Sequence, residues 1–148
     1  MVLAVRHTGI VVRDLVRSET FYSETLGFVA YARDRETGPF ISRLVGIPDV
    51  DVSWVKLKSS DGSVLEILQY HSHPDGSAFE AAASNKVANG HLALTVENLD
   101  ELYRNLKELG LPCQGVPQIA PHGKVKVLYA HDPDGVILEL VEELVQPV

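Results

Sequence analysis

The chain has 148 residues, 45% of them hydrophobic and 22% charged, which is enough for one compact domain with a buried core. A net charge of −7 without a basic run argues against a nucleic-acid partner, and no apolar stretch approaches the roughly 20 residues of a membrane span. The single cysteine, Cys113, excludes an intrachain disulfide framework, and the N-terminal apolar stretch is too short for a signal peptide. Both features predict a protein of the reducing cytoplasm.

The first half of the chain predicts one helix and four strands in the order β-α-β-β-β. Period-two alternation predicts the strands, and an apolar stripe predicts the helix. In chain order, we expect a strand over residues 4–13, a helix over 15–26, and strands over 28–33, 52–57 and 64–70. Residues 34–51 contain Gly38-Pro39, and we expect a long loop there with a helical turn near residues 41–45.

The second half repeats this order after a connector. Residues 71–89 are polar and rich in small side chains, and we expect a short helix within them at residues 78–83. The elements that follow are a strand over 91–96, a helix over 99–109, a short strand beginning at 115–116, and strands over 124–130 and 136–141. The sequence therefore predicts an α+β domain over residues 1–148, built from two tandem βαβββ modules at about 1–75 and about 90–148.

Each half carries one histidine in its first strand and one glutamate in its last strand. In both halves the glutamate follows an Asp-Gly turn signal at the same offset. The matching residues are His7 and His91, then Glu66 and Glu139. Successive side chains of a strand alternate between faces, so each glutamate points away from its apolar neighbours. A charge in so apolar a run is costly unless it faces solvent, pairs with an opposite charge or binds a metal.

Two imidazoles and two carboxylates are a suitable ligand set for one divalent metal ion, such as Zn²⁺, Ni²⁺, Fe²⁺ or Mn²⁺. The absence of a thiolate from this set argues against a structural zinc site. A single histidine or glutamate on a strand is more often an ordinary surface or core residue. The duplicated offsets favour a shared metal site instead, formed by His7, Glu66, His91 and Glu139.

The chain resembles the vicinal oxygen chelate superfamily over nearly its whole length. The most specific motifs are His7-Thr8-Gly9-Ile10-Val11-Val12-Arg13-Asp14-Leu15, Gly90-His91-Leu92-Ala93-Leu94, and Asp132-Pro133-Asp134-Gly135 with Leu138-Glu139-Leu140. This superfamily includes glyoxalase I, methylmalonyl-CoA epimerase, extradiol dioxygenases, and fosfomycin- and bleomycin-resistance proteins. The resemblance implies a glyoxalase-like fold, in which paired modules with curved mixed sheets form a metal-binding cup.

By position, His7, Glu66, His91 and Glu139 match all four ligand places, and this set resembles that of bacterial-type glyoxalase I. The resemblance implies a lyase or isomerase that uses metal-stabilised enediolate chemistry on a small carbonyl compound or its thiol adduct. Glu66 and Glu139 are then the candidate catalytic bases. The alternatives are an Fe²⁺ extradiol-type dioxygenase using His7, His91 and Glu139, an epimerase, or a resistance protein that binds a small molecule without catalysis.

The sequence also suggests residues around the metal and a state of assembly. Cations and aromatic side chains near the predicted strands are candidate substrate-binding residues, namely Arg33, Trp54, Tyr70, Lys124 and Tyr129. The resemblance implies a homodimer. The expected partners are therefore a second copy of the chain, one divalent metal ion per site and a small-molecule substrate, without nucleic acid or membrane.

Overall fold

Residues 1–144 are described by the structure, a computed structural model in which the chain divides into two compact units. Unit 1 is Met1–Ala78, and unit 2 begins at Phe79. Each unit contains a four-stranded mixed sheet and at least one helix, which confirms the predicted α+β class and the tandem repeat. The boundary between the units falls inside the predicted connector, residues 71–89.

Unit 1 is built on a sheet with the strand order β1-β4-β3-β2. Its strands are β1 (Thr8–Val11), β2 (Val29–Thr37), β3 (Asp51–Lys58) and β4 (Val64–Tyr70). β1 runs parallel to β4, and the other neighbours are antiparallel. The strand predicted over residues 4–13 is therefore shorter than expected, because only Thr8–Val11 lies opposite β4.

One face of this sheet is covered by the first helix, α1 (Leu15–Thr20), which continues as a π-helical turn over Phe21–Thr25. The Asp14 side chain begins the helix by accepting a hydrogen bond from the backbone N–H of Arg17. α1 packs against β3 and β4, where Leu65 and Ile67 are buried. Glu66 lies between these two residues in the strand and therefore occupies the opposite face of the sheet.

Residues 34–51 are more regular than the predicted long loop, because β2 extends to Thr37. The helix α2 (Pro39–Val45) confirms the helical turn expected near residues 41–45 and is slightly longer. The last residues of β2 pair with the start of β3, with Thr37 opposite Asp51. α2 buries Ile41 in a cluster with Val50 and Val52. This tertiary burial stabilises a helix too short to form from local preference alone.

Unit 2 repeats the same topology with the strand order β5-β8-β7-β6. Its elements are β5 (His91–Thr95), α3 (Leu99–Glu108), β6 (Gln118–Ile119), β7 (Val125–His131) and β8 (Ile137–Glu143). β5 runs parallel to β8, just as β1 runs parallel to β4. α3 buries Leu99, Leu102 and Leu106 on the apolar stripe that the sequence predicted. The short strand expected from 115–116 lies instead at Gln118–Ile119, where the backbone pairs with β7.

The helix predicted at residues 78–83 does not form. The backbone N–H of Ala82 donates to the Gly135 carbonyl at 3.2 Å, and Nε2 of the buried His131 lies 2.9 Å from the Ala82 carbonyl oxygen. These long-range hydrogen bonds satisfy backbone groups that a helix would otherwise pair locally. In the part of the chain that the structure describes, no helix is long and apolar enough to cross a membrane.

Candidate metal centre

In unit 1, the parallel pairing of β1 and β4 brings the predicted histidine and glutamate together. Gly9 lies opposite Glu66. His7 precedes Gly9 by two positions and therefore points to the same face of the sheet. Nε2 of His7 is 3.0 Å from Oε2 of Glu66. The His7 side chain is 28% exposed and that of Glu66 only 14%, so the carboxylate is largely removed from solvent but remains paired.

In unit 2, the equivalent strands produce the same contact. Ala93 lies opposite Glu139, and His91 precedes Ala93 by two positions. Nε2 of His91 is 2.8 Å from Oε2 of Glu139. The second pair therefore uses the same atoms at the same places in the fold as the first pair.

Both pairs have the chemistry and spacing of metal ligands. Two donor atoms that each lie about 2.1 Å from one metal ion are about 3.4 Å apart at a tetrahedral angle and about 3.0 Å apart at the 90° angle of an octahedral site. The observed separations of 3.0 and 2.8 Å match the octahedral value, so the residues present fit a divalent cation. Within residues 1–144, no group of three or more His, Cys, Asp or Glu side chains lies close enough to hold a metal ion. The structure thus forms two His–Glu pairs, and their role as ligands of one four-residue site stays a prediction.

The residue opposite each glutamate on the neighbouring antiparallel strand differs between the units. Lys56 faces Glu66, with its Nζ 3.4 Å from Oε1 of the carboxylate. Tyr129 faces Glu139. Burial of the phenol, followed by the charge of Glu139 and a hydrogen bond to it, raises the pKa of Tyr129 above its usual value. Unit 1 therefore has a cation at this position and unit 2 a neutral hydroxyl.

Three of the predicted substrate-binding residues lie on the same face as a glutamate of the pairs. Tyr129 is beside Glu139, and its ring centroid is 5.5 Å from that of His91. Trp54 lies under Lys56, whose Nζ is 4.5 Å from the ring centroid. Tyr70 shares the face of Glu66 but packs against the buried cluster beneath α2.

The two predicted cations lie elsewhere. Arg33 occupies the opposite face of the unit 1 sheet from Glu66, and its guanidinium pairs with Glu19 of α1 at 2.8 Å. Lys124 is exposed and precedes β7, where its carbonyl accepts a hydrogen bond from the backbone N–H of Leu144. Among the described residues, neither cation therefore contacts the His–Glu pair of its own unit.

Lys56 is the site residue that the sequence prediction missed. The signal was present, because Lys56 and Glu66 each lie five positions from Asp61, on opposite sides of a hairpin turn. Tyr129 and Glu139 have the same relation to Asp134. Counting outwards from each turn would have identified the residue opposite each glutamate.

Comparisons with known proteins agree with this architecture. The sequence profile of the Glyoxalase/Bleomycin resistance protein/Dioxygenase superfamily matches residues 4–140. A probable lactoylglutathione lyase of Synechocystis sp. is 27% identical over 140 residues, which cover 92% of each chain. A glyoxalase family protein from Bacillus cereus has the same fold, with a TM-score of 0.86, 23% identity and coverage of 98% of this chain and 97% of that one. The trypanothione-dependent glyoxalase I of Leishmania major gives a TM-score of 0.63 at 25% identity, covering 93% of this chain and 84% of that one.

Proposed function

Since the chain belongs to the Glyoxalase/Bleomycin resistance protein/Dioxygenase superfamily, we propose that it is a divalent-metal-dependent lyase or isomerase of the glyoxalase I type. Members of this superfamily generally bind a divalent metal. The proposed ligands are His7, Glu66, His91 and Glu139. The proposed substrate is a small carbonyl compound or its thiol adduct, in keeping with the relative described as a probable lactoylglutathione lyase.

The observation that supports this proposal is the repeated His–Glu contact. A single pair with a separation near 3 Å is an ordinary ion pair or hydrogen bond of a sheet. Two such pairs at equivalent register positions, one in each unit, are not required by the packing of either sheet. They are explained if all four side chains are ligands of one ion.

The chain's own residues would perform the steps around the bound ion. A divalent metal ion supplies Lewis-acid polarisation of a substrate carbonyl, which makes the adjacent C–H acidic. His7 and His91 would bind the ion through Nε2, which must be unprotonated. Glu66 or Glu139 would remove the proton from that carbon and return it to the neighbouring carbon. The reaction is an internal proton transfer, so it needs no redox partner.

The proposal is tested by metal loading of wild-type protein and of histidine variants. Equilibrium dialysis against Ni²⁺ or Zn²⁺, with elemental analysis, should give one tightly bound ion per chain. His7→Ala and His91→Ala should each lower the affinity by about 100-fold or more. His122→Ala is the matched control, because His122 is exposed in a loop, where its Nδ1 accepts a hydrogen bond from the backbone N–H of Lys124. Retention of metal by both ligand variants would exclude the four-residue site.

The reaction is tested with the glutathione adduct of methylglyoxal, which isomerises to lactoylglutathione by one proton transfer. Metal-loaded wild-type protein should form the product and exchange solvent deuterium into it. A loaded protein that acts on no such adduct would leave the metal site intact and exclude the glyoxalase I reaction.

An Fe²⁺ extradiol-type dioxygenase is the second candidate, and the Lys56 contact is the observation that favours it. Such a site needs only two histidines and one carboxylate. The charge of Glu66 is already paired with Lys56, whereas Glu139 faces the neutral phenol of Tyr129. Glu139 would therefore be the single carboxylate ligand. This function predicts oxygen consumption with a catechol by Fe²⁺-loaded protein, and Fe²⁺ retention in Glu66→Gln but not in Glu139→Gln.

The assembly and location that accompany this function are proposals as well. We propose a homodimer in the reducing cytoplasm, where the single Cys113 would remain a thiol. Light scattering coupled to size-exclusion chromatography should give twice the 16.2 kDa mass of the chain. A mass equal to one chain would exclude the dimer.

A further inference from the structure

Unit 1 places a cation directly beside its ligand pair. Nζ of Lys56 is 3.4 Å from Oε1 of Glu66, while Nε2 of His7 is 3.0 Å from Oε2 of the same carboxylate. Each oxygen of Glu66 therefore has a nitrogen neighbour. At the equivalent position of unit 2, the carboxylate of Glu139 faces the neutral Tyr129 instead.

Lys56 is held in this place by its surroundings. Its side chain is only 25% exposed, and its ammonium lies over the Trp54 ring. Trp54 is itself fixed, because its indole Nε1–H donates to Oε2 of Glu36 at 3.2 Å. Lys58 lies on the same face but is exposed, and its ammonium lies 4.7 Å from the centroid of the Tyr31 ring. The two lysines thus differ in burial and in their neighbours but share a strand and a face.

A fixed ammonium at this position opposes metal binding. The ammonium of Lys56 competes with the metal ion for the Glu66 carboxylate, and the positive charges of the ammonium and the ion repel each other. The two glutamates balance the charge of one divalent ion, so Lys56 gives the occupied site a net charge of +1. An anionic group on the substrate would remove this excess charge. It would also give Nζ a closer partner, since charge-assisted N–H···O bonds are about 2.7–2.9 Å long.

We propose that Lys56 binds an anionic group of the substrate, a carboxylate or a comparable oxyanion next to the two oxygens that reach the metal. The inference rests on the proposed metal-dependent function and narrows its substrate class. It assigns Lys56 as a substrate-binding residue. The preferred substrates would then carry a negative charge close to the reacting carbonyl.

The test compares two metal-binding probes on Ni²⁺-loaded protein. Oxalate can bind the metal through one oxygen of each carboxylate and keeps two further carboxylate oxygens for Lys56. Acetohydroxamic acid can bind the metal through two adjacent oxygens but has no further anionic oxygen. Trp54 is the only tryptophan in the chain and lies beneath Lys56, so its fluorescence can report binding without any turnover. The variants are Lys56→Met, Lys56→Arg as the charge-retaining rescue, and Lys58→Met as the matched control.

Lys56→Met should weaken oxalate binding by about tenfold or more, with a much smaller effect on acetohydroxamic acid. Its Ni²⁺ affinity should rise, because the repulsive charge is gone. Lys56→Arg and Lys58→Met should stay close to wild type for oxalate. Equal oxalate affinity in Lys56→Met and Lys58→Met, or no binding of oxalate to loaded wild-type protein, would overturn the inference while leaving the metal site in place. Failure of wild-type protein to take up Ni²⁺ would instead overturn the proposed function, and the inference with it.

Discussion

The two units share a strand topology but enclose their His–Glu pairs to different degrees. Each unit pairs its first strand in parallel with its last, and each brings a histidine Nε2 to within 3.0 Å of a glutamate. The Glu66 side chain is 14% exposed beside Lys56, whereas that of Glu139 is 25% exposed beside Tyr129. Strand register therefore decides which position faces the glutamate, while the side chain at that position decides the electrostatic surroundings of the carboxylate.

The turns that precede the glutamates show the same contrast. The backbone N–H of Ser59 donates to the Ser63 carbonyl, and that of Asp132 donates to the Val136 carbonyl in the equivalent turn. In unit 1 the turn is exposed and carries Asp61. In unit 2, Asp132 is fully buried, and Oδ1 of its carboxylate accepts from the backbone N–H groups of Asp134 and Val136. One turn geometry therefore occurs in a solvated and in a buried setting.

The largest expected effect comes from removing the charge of either glutamate. Glu66→Gln should retain metal at reduced affinity and lower turnover by about 10²–10⁴-fold if Glu66 is the base. Glu139→Gln should show the same loss if the base is in unit 2 instead. Turnover and solvent-deuterium exchange, measured beside the metal content of each variant, distinguish the two units. Unchanged turnover in Glu66→Gln would exclude Glu66 from proton transfer.

A smaller effect is expected from the glycines of the two turns, which have nearly the same conformation. Gly62 has φ +90° and Gly135 has φ +92°, so alanine is strained at either position by about 1–2 kcal/mol. A Cβ at Gly135 would also lie 2.6 Å from the Glu80 carbonyl oxygen, whereas nothing lies within 4 Å of one at Gly62. We expect Gly135→Ala to reduce the free energy of unfolding by about 1–3 kcal/mol more than Gly62→Ala, measured by urea denaturation. Equal losses of unfolding free energy in the two variants would show that residues 79–82 move away from the added methyl group without loss of stability.

The smallest expected effect concerns the exposed turn of unit 1. The Ser59 hydroxyl, then the backbone N–H and hydroxyl of Ser63, lower the pKa of Asp61 to about 2. Because the pKa is lower in the folded state, the stabilisation is present above the unfolded value near pH 4 and is lost as the pH falls towards 2. NMR titration of the Asp61 carboxyl carbon should give this pKa, and Ser59→Ala should raise it. A midpoint near 4 in the wild-type protein would contradict the hydrogen-bonded turn.

Much of the fold was accessible from periodicity and turn signals. The strands around each Asp-Gly turn and helix α3 were predicted nearly to the residue, because alternation and the apolar stripe are strong there. The end of β2 was missed, and α2 is longer than the helical turn expected near residues 41–45. Their residues acquire regular structure by pairing with β3 and by burying Ile41, and neither contact is local in sequence. The expected helix at residues 78–83 failed for the same reason, since Gly135 and His131 bind its backbone instead.

The identities and duplicated positions of the four proposed ligands follow from the sequence alone, because a period-two strand after a fixed turn leaves little freedom in where a side chain points. The contacts of the nearby cations depend on the tertiary structure. Arg33 lies on the face covered by α1 and pairs with Glu19, and the Lys56 ammonium lies over the Trp54 ring. Contacts between separate strands and helices depend on how the elements pack, and that packing is not encoded in the spacing of any single segment.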